Sequence, residues 1–274
     1  MKKLLLGIIL ASLSATNLYS SSTLINGRPA LSGEFPEVVY ISAGMSRCSA
    51  SIIGPQTILT AAHCVKTGQT IHQVMNQIVF TAKCQQSPEY KLSGHDMALC
   101  KTDRVMKPGK FAVVASHGPK LGDKVELSGY GCLGSNGGGN DGILRVGEAT
   151  VNILPVNTHW FETNDLTAAC FGDSGGPSYL AMKDPMKDTH YVIGLNSQGD
   201  IKKRSLMTNL WLGTSQKFLK DFSVSQGVKI CGVNLSCGKA AHAADKKCRK
   251  EKKRMDYYKE KLDKWSKAYD SCLL

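Results

Sequence analysis

The hydrophobic positions between Leu24 and Trp211 occur in short runs that Gly, Pro, Asn and Ser interrupt at close intervals. Short apolar runs with frequent turn residues are typical of an all-β sandwich or barrel. We therefore predict mainly β structure here, with strands that include residues 38–42, 51–59, 78–82, 125–128 and 191–196. The glycine-rich stretch 135–142 is predicted to be an exposed loop, since no helix start follows it as a phosphate-binding loop requires.

The pattern changes after Leu212. Residues 214–222 are predicted to form a short helix, and from Ala240 onwards Gly and Pro are absent. Apolar residues then recur at steps of three and four, which marks one face of a helix; they are Met255, Tyr258, Leu262, Trp265, Tyr269 and Cys272. We predict a basic, cysteine-containing helical extension over residues 223–274. Its apolar face either packs against the body or belongs to a helix that binds an acidic partner or surface with its lysines.

The N-terminal segment has the features of a secretory signal. Lys2 and Lys3 precede an apolar run over residues 4–13, which is too short for the roughly 20 residues that span a bilayer. Small-x-small cleavage sites follow at residues 12–14 and 20–22. We assign residues 1–22 to a signal peptide with room for a short propeptide, and we expect a secreted protein, extracellular or periplasmic, with no transmembrane segment in the mature chain.

Composition narrows the function classes. A chain of 274 residues with 42% hydrophobic and 20% charged residues is typical of a globular protein and not of a disordered one. The net charge is +12, but residues 239–270 contain twelve Lys or Arg against six Asp or Glu, so about half of the excess lies in the tail. The rest has no dense basic patch with interleaved aromatics, which argues against nucleic acid as a partner. Ten cysteines without any Cys-x-x-Cys indicate disulfides rather than a metal site, and we expect no metal or organic cofactor.

Three segments carry residues suited to acyl transfer. They are Leu-Thr-Ala-Ala-His-Cys at 59–64, His-Asp-Met-Ala-Leu at 95–99 and Gly-Asp-Ser-Gly-Gly-Pro at 172–177. A serine hydroxyl becomes a nucleophile when an imidazole removes its proton, and a carboxylate must orient that imidazole. Backbone N–H groups must also face the developing oxyanion. Glycines on both sides of Ser174 permit a turn in which the amides of Gly172 and Ser174 converge.

These segments resemble the chymotrypsin/trypsin-like serine proteases, in that family's order of histidine, aspartate and serine, over about residues 24–222. The resemblance implies two packed antiparallel β-barrels with the active site in the cleft between them. It also implies a serine endopeptidase that cuts protein or peptide substrates through an acyl-enzyme. Ser174 corresponds to the nucleophile, His63 to the general base and acid, and Asp96 to the orienting carboxylate. The short signal with its lysines points to a bacterial member of the family.

The resemblance assigns Asp173 a different role from Asp96. In the family, the matching aspartate pairs with the α-amino group that proteolytic activation of the zymogen creates. Leu-Ile-Asn-Gly at 24–27 resembles the mature start, so Leu24 is the expected new N-terminus. Thr23 departs from the family, since trypsin-like activation cuts after Lys or Arg.

The same resemblance implies the position of the substrate pocket. Its base corresponds to Ala168, six residues before the nucleophile, with Ala169 beside it. Ser197 and Gly199 match one wall, and Ser205 matches a second. Because these residues carry no charge, we expect cleavage after apolar residues.

The resemblance implies a disulfide between Cys48 and Cys64. Cys84 and Cys100 flank a predicted antiparallel strand pair and are candidates for a second bond. Cys170 lacks the family's usual partner, and Cys132 is a candidate substitute near the site. The alternative to an enzyme is a catalytically silent homologue that uses the fold to bind a partner.

Overall fold

The computed structural model describes residues 24–75, 78–132, 136–237 and Arg254. Within them the chain forms, in order, β1 (Arg28–Pro29), β2 (Val38–Ala43), β3 (Ser46–Gly54), β4 (Thr57–Thr60), a 3-10 turn (Ala62–Cys64), β5 (Thr70–Met75), β6 (Ile78–Gln86), α1 (Tyr90–Ser93), β7 (Ala98–Thr102), β8 (Val113–Val114), β9 (Lys124–Gly129), β10 (Arg145–Ile153), β11 (Trp160–Asn164), β12 (Pro177–Leu180), β13 (Tyr191–Gly199), β14 (Arg204–Asn209) and α2 (Gly213–Ser225). The five predicted strand regions all contain strands.

The first barrel is closed by six antiparallel strands in the order β2-β3-β4-β7-β6-β5. The apolar run 51–59 lies in two of them, because Pro55 and Gln56 turn the chain between β3 and β4. Alternate strand residues point inward, and they form a core that includes Ile41, Ala50, Ile52, Ile58, Ile71 and Phe80. Cys84 and Cys100 lie opposite each other in β6 and β7 and form a disulfide.

The second barrel is closed by β9, β10, β11, β14, β13 and β12, since β9 pairs with both β10 and β12. The short β1 adds to β10, and β8 runs parallel to β13. Its core includes Val125, Leu127, Ala149, Val151, Phe161, Ile193 and Met207. The predicted fold class, two packed antiparallel β-barrels, is confirmed.

A third apolar cluster joins the barrels and fixes the cleft between them. It includes Ile53, Leu59, Met97, Leu99, Val114, Tyr179, Leu195 and Leu210, together with Phe218, Leu219 and Phe222 of α2. Burying this surface stabilises one barrel against the other by about 25 cal/mol per Å² of apolar area. The active-site loops of the two barrels are thereby held in a fixed relation.

Helix α2 covers the predicted helix 214–222 and ends at Ser225. The chain then returns to the barrels: the Cys231 N–H donates to the Ile53 carbonyl at 2.7 Å, and the Cys231 carbonyl accepts from Val114 at 2.9 Å. A disulfide joins Cys231 to Cys237. Residues 226–237, assigned from sequence to the extension, therefore pack on the body.

Several sequence predictions fall on residues that the structure does not describe. They are the signal peptide and the helical stripe from Met255 to Cys272. Across the part of the chain that is described, no helix has the length and apolarity needed to cross a membrane.

Candidate active site

His63, Asp96 and Ser174 come from loops at the interface of the two barrels. His63 lies in the 3-10 turn directly after β4, and Asp96 lies two residues before β7. Strands β4 and β7 pair antiparallel, with Thr60 opposite Ala98, so these two loops emerge side by side. Ser174 lies in the turn between β11 and β12 of the second barrel. The fold thus brings together three residues that are far apart in sequence.

Asp96 holds His63 at two points. Its Oδ1 accepts the His63 backbone N–H at 2.9 Å, and its Oδ2 lies 2.7 Å from the His63 Nδ1. The Ser197 hydroxyl donates to Oδ2 at 2.5 Å, and the Thr208 hydroxyl donates to the Asp96 carbonyl at 2.9 Å. These bonds fix the imidazole with Nδ1 towards Asp96, which leaves Nε2 for another partner.

The charge state of Asp96 follows from the same contacts. Burial alone raises the pKa of this carboxyl, but the hydrogen bonds and charge of His63, with the Ser197 hydroxyl, outweigh it and hold the pKa below its ordinary value. Asp96 is therefore a carboxylate at neutral pH. A buried negative charge against Nδ1 stabilises an imidazolium when Nε2 takes up a proton.

His63, Asp96 and Ser174 line one cavity of about 520 Å³. The side chain of Asp96 is 7% exposed while that of His63 is 35% exposed, so the imidazole lies between the buried carboxylate and the open cavity. A peptide bound in this cavity would contact both the His63 imidazole and Ser174. Such an arrangement suits proton transfer coupled to nucleophilic attack.

The turn around Ser174 is held by backbone bonds from both barrels. The Ser49 N–H of β3 donates to the Ser174 carbonyl at 2.9 Å, and the Gly175 N–H donates to the Asn196 carbonyl at 2.7 Å. Gly172 has φ of +101°, a conformation that favours glycine. Glycine at position 172 therefore permits the backbone conformation of this turn.

Asp173 points away from the cavity and is fully buried. Its carboxylate accepts the N–H groups of Gly131 and Cys170, each at 2.8 Å. Burial raises its pKa to about 7, against the lowering effect of those two bonds. A Cβ at Gly129 or Gly131 would overlap this carboxylate, so the Gly-Tyr-Gly sequence at 129–131 makes room for it.

The segment that begins with Leu24 docks beside this region. Leu24 is fully buried, and Ile25 exchanges backbone hydrogen bonds with Ala168 at 2.8 and 3.2 Å. Leu24 and Asp173, the expected pair, are therefore both fully buried, and the Asp173 carboxylate is held by the N–H groups of Gly131 and Cys170.

The predicted pocket residues fall into two groups. Ala169, Ser197 and Gly199 line the cavity. Ala168 and Ser205 are fully buried and are not among its lining residues; the Ser205 hydroxyl accepts the Ala169 N–H at 2.8 Å and so supports the wall from behind. Ser197 also has a second role that the sequence did not indicate, as the hydrogen-bond donor to Asp96.

Sequence reasoning did not assign seven of the lining residues to the site: Tyr90, Gly94, Cys170, Phe171, Asn196, Gln198 and Ile201. Some lie in or next to α1, others lie in β13 beside Ser197, and the rest lie in the loops after β11 and β13. No motif marks them, because their approach to the cavity depends on the whole fold. Phe171 is 68% exposed, so it forms part of the rim.

Two cysteine pairs border the site. Cys48 and Cys64 form a disulfide beside His63, so their sulfurs are not thiolate ligands although they lie near its ring. Cys132 and Cys170 are also joined, which links the loop after β9 to the cavity wall. This bond gives Cys170 the partner that the sequence left open.

His95 is adjacent to Asp96 but belongs to a different environment. Its Nδ1 binds the Ser87 hydroxyl at 2.7 Å and its Nε2 binds the Ser215 hydroxyl at 2.8 Å. Burial and the neighbouring His159 lower its pKa to about 4, so it is neutral at pH 7. The hydrogen bonds of both ring nitrogens thus go to serines outside the cavity.

Comparisons with known proteins agree with this geometry. The family model described as Trypsin matches residues 24–209. The chain is 27% identical to a venom serine protease of Polistes dominula over 65% of this chain and 76% of that protein. It is 28% identical to lectizyme of Glossina austeni, over 70% and 85% of the two chains.

Two further relatives extend the comparison. Chymotrypsin-like elastase family member 3B of Homo sapiens is 24% identical over 65% of this chain and 80% of that one. The solved structure of neuropsin, a serine protease of mouse brain, matches the fold with a TM-score of 0.57 at 20% identity, over 72% of this chain and 98% of that chain. These relatives are animal proteins and give no support to the bacterial source expected from the signal.

Proposed function

Because this chain belongs to the trypsin family and is a serine endopeptidase, we propose that Ser174 is its nucleophile, His63 its general base and acid, and Asp96 the carboxylate that orients His63. The observation that carries this proposal is the double contact of Asp96 with the His63 N–H and Nδ1 in a cavity that Ser174 also lines. Because Nδ1 faces Asp96, the other ring nitrogen, Nε2, is available for proton exchange with a group in the cavity.

The reaction then has two halves. His63 Nε2 takes the proton of the Ser174 hydroxyl as Oγ bonds to the substrate carbonyl carbon, and the carbonyl oxygen becomes an oxyanion. The C–N bond breaks as His63 returns the proton to the leaving amine, which leaves an acyl-enzyme on Ser174. Water attacks the ester in the second half, with His63 again accepting and returning a proton.

We assign the oxyanion hole to the N–H groups of Gly172 and Ser174. The +101° φ of Gly172 and the hydrogen bonds on both sides of the turn support a preorganised backbone. Preorganised amides stabilise the oxyanion because they need no reorientation during the reaction.

The substrate side chain before the scissile bond is proposed to be apolar. Among the described lining residues, Asp96 has the only carboxyl group, and His63 and Ser197 already bind it. No lining carboxylate is left to pair with Lys or Arg. An aliphatic or aromatic side chain fits such a wall, with discrimination of about 1–3 kcal/mol per methylene.

We further propose that the enzyme is a secreted zymogen that is activated by cleavage before Leu24. The buried Asp173, with its raised pKa, would gain a cationic partner in the new α-amino group. The docking of Ile25 on Ala168 supports this, since it holds the segment beside the Asp173 loop. Residues 1–22 would be the signal and propeptide, 24–222 the protease domain and 223–274 the extension, whose apolar face would pack against the body or whose lysines would bind an acidic partner or surface.

Labelling with a serine-directed fluorophosphonate tests the assignment. The secreted, active form should be modified at Ser174, and Ser174→Ala and His63→Ala should abolish labelling. Ser178→Ala is the control, because Ser178 lies on β12 and is fully buried. A folded protein that stays unlabelled would instead fit the silent homologue that binds a partner.

A further inference from the structure

Ser49 contacts both ends of the Ser174 turn from the opposite barrel. Its hydroxyl donates to the Gly172 carbonyl at 2.8 Å, and its backbone N–H donates to the Ser174 carbonyl at 2.9 Å. The hydroxyl oxygen also accepts the Tyr130 N–H at 2.9 Å. Ser49 is fully buried in β3, so water does not compete for these bonds.

The Ser49 hydroxyl group acts both as a hydrogen-bond donor and as an acceptor. A serine has one O–H to donate and lone pairs to accept, and here the proton goes to Gly172 while a lone pair receives Tyr130. The two partners lie in different loops of the second barrel, after β9 and after β11. One side chain of the first barrel therefore ties both loops together at the candidate oxyanion hole.

Ser49 is itself held next to the His63 turn. Its carbonyl accepts the Thr60 hydroxyl at 2.9 Å, and Thr60 is the last residue of β4, three residues before His63. Ser49 thus binds both the strand that leads to His63 and the Gly172 carbonyl. This connection crosses the cleft without touching the cavity.

We infer that Ser49 is a positioning residue whose hydroxyl fixes the Gly172 backbone so that the oxyanion hole is formed before substrate binds. The inference rests on the proposed role of the Gly172 and Ser174 amides. Without the hydroxyl, the Gly172 carbonyl and the Tyr130 N–H lose a buried partner, while the bond from the Ser49 N–H to Ser174 remains. The nucleophile stays in place and the oxyanion donor becomes less ordered.

The expected effect is therefore on kcat and not on KM. Removal of an oxyanion donor lowers kcat by about 10²–10³-fold. Ser49 acts on the donor indirectly, so Ser49→Ala should have a smaller effect and lower kcat by about tenfold relative to wild type. Binding of the substrate before attack does not use the oxyanion site, so KM should change less than about twofold.

The experiment compares Ser49→Ala with Ser51→Ala in active-site-titrated enzyme. Ser51 lies two residues further along β3 and is also fully buried, but its hydroxyl lies beside the phenol of Tyr179. The measurements are kcat and KM for one peptide substrate, and the affinities of a peptide aldehyde and of the matching peptide acid. The aldehyde forms a tetrahedral adduct with an oxygen in the oxyanion site, whereas the acid reports binding alone.

The inference predicts that Ser49→Ala lowers kcat and weakens the aldehyde in parallel, with the peptide acid unchanged and Ser51→Ala normal. It is overturned if kcat of Ser49→Ala stays within twofold of wild type, if the aldehyde and the acid weaken equally, or if Ser51→Ala loses as much. Ser49→Gly replaces Ser49→Ala if the latter does not fold; if neither folds, the hydroxyl is a folding requirement and the inference is wrong. A wild type without turnover would contradict the proposed function itself, and this inference would fall with it.

Discussion

Asp96 binds His63 through both the backbone N–H and the ring Nδ1, at 2.9 and 2.7 Å. The first bond sets where the residue lies, and the second sets how its ring is turned. Because Asp96 is also held by Ser197 and Thr208, the carboxylate cannot easily follow a displaced imidazole. The orientation of the His63 ring therefore depends on Ser197 and Thr208 of the second barrel as well as on the loop that carries His63.

Asp96→Asn should lower kcat by about 10⁴-fold with little change in stability. The amide preserves the shape but favours the wrong tautomer of His63 and does not stabilise the imidazolium. The measurement is kcat for a peptide substrate in titrated enzyme. Asp221→Asn, on the exposed face of α2, is the control and should retain full activity. An Asp96→Asn enzyme within tenfold of wild type would contradict the assigned role.

Cleavage should favour apolar side chains before the scissile bond. In a peptide library, kcat/KM for Leu or Phe at this position should exceed that for Lys or Arg by at least about tenfold, since a Lys or Arg charge would lose hydration in the pocket without gaining a carboxylate partner. Ala169 lines the cavity, so Ala169→Asp should raise relative cleavage after Lys or Arg, while Ala169→Ser should not. Preferred wild-type hydrolysis after Lys or Arg would refute the uncharged pocket.

Removing the Cys132–Cys170 disulfide should cost both stability and activity. The bond spans 38 residues, for which the loss of loop constraint is about 4 kcal/mol. The double change Cys132→Ser, Cys170→Ser should also raise KM, because Cys170 lines the cavity. The matched control is Cys84→Ser, Cys100→Ser in the first barrel, which should lose about 3 kcal/mol with an unchanged KM. Equal KM values in the two double variants would contradict a role at the cavity wall.

The buried pair of His190 and Glu37 should make stability depend on pH. His190 Nδ1 lies 2.6 Å from Glu37 Oε1, and Nε2 lies 2.6 Å from the Pro185 carbonyl, so both ring nitrogens serve as donors. Burial alone lowers the pKa of His190, but the hydrogen bond and charge of Glu37 outweigh it and raise the pKa above its ordinary value. This stabilisation is complete below the unfolded pKa, about 6.5, and is lost as pH rises through the folded pKa.

His190→Asn should therefore lower the free energy of unfolding by about 3 kcal/mol at pH 6 and by less at pH 9. Denaturant unfolding at a series of pH values checks this, with the exposed His117→Asn as the control. A difference between wild type and His190→Asn that stays constant from pH 6 to pH 9 would show that the charge of His190 is not involved.

The fold was largely predictable because its signals are local. Short apolar runs bounded by Gly and Pro mark the strands, and the three motifs identify His63, Asp96 and Ser174 by their neighbours in sequence. The contacts that hold the site together are different in kind. Ser49 and Gly172 are 123 residues apart, and Ser197 and Asp96 are 101 residues apart. The sequence around a single serine gives no indication of such a distant partner.

The cysteines show the same limit. Cys84 and Cys100 were candidates for a bond because the sequence predicts an antiparallel strand pair there, and they lie opposite each other in β6 and β7. The Cys132–Cys170 bond depends on how two loops of the second barrel approach each other. The sequence also did not predict that residues 226–237 pack on the first barrel. This segment is held by backbone hydrogen bonds, such as that from the Cys231 N–H to the Ile53 carbonyl, and such bonds leave no periodic pattern of side chains.

Trapping of the acyl-enzyme would identify the nucleophile of this protease. The active form is mixed with an activated ester of an apolar acyl group, quenched in acid, digested and analysed by mass spectrometry. We expect a burst of one leaving group per active site and the acyl mass on the peptide that contains Ser174, with neither in Ser174→Ala. An acyl group on another residue, or turnover that persists in Ser174→Ala, would contradict this expectation.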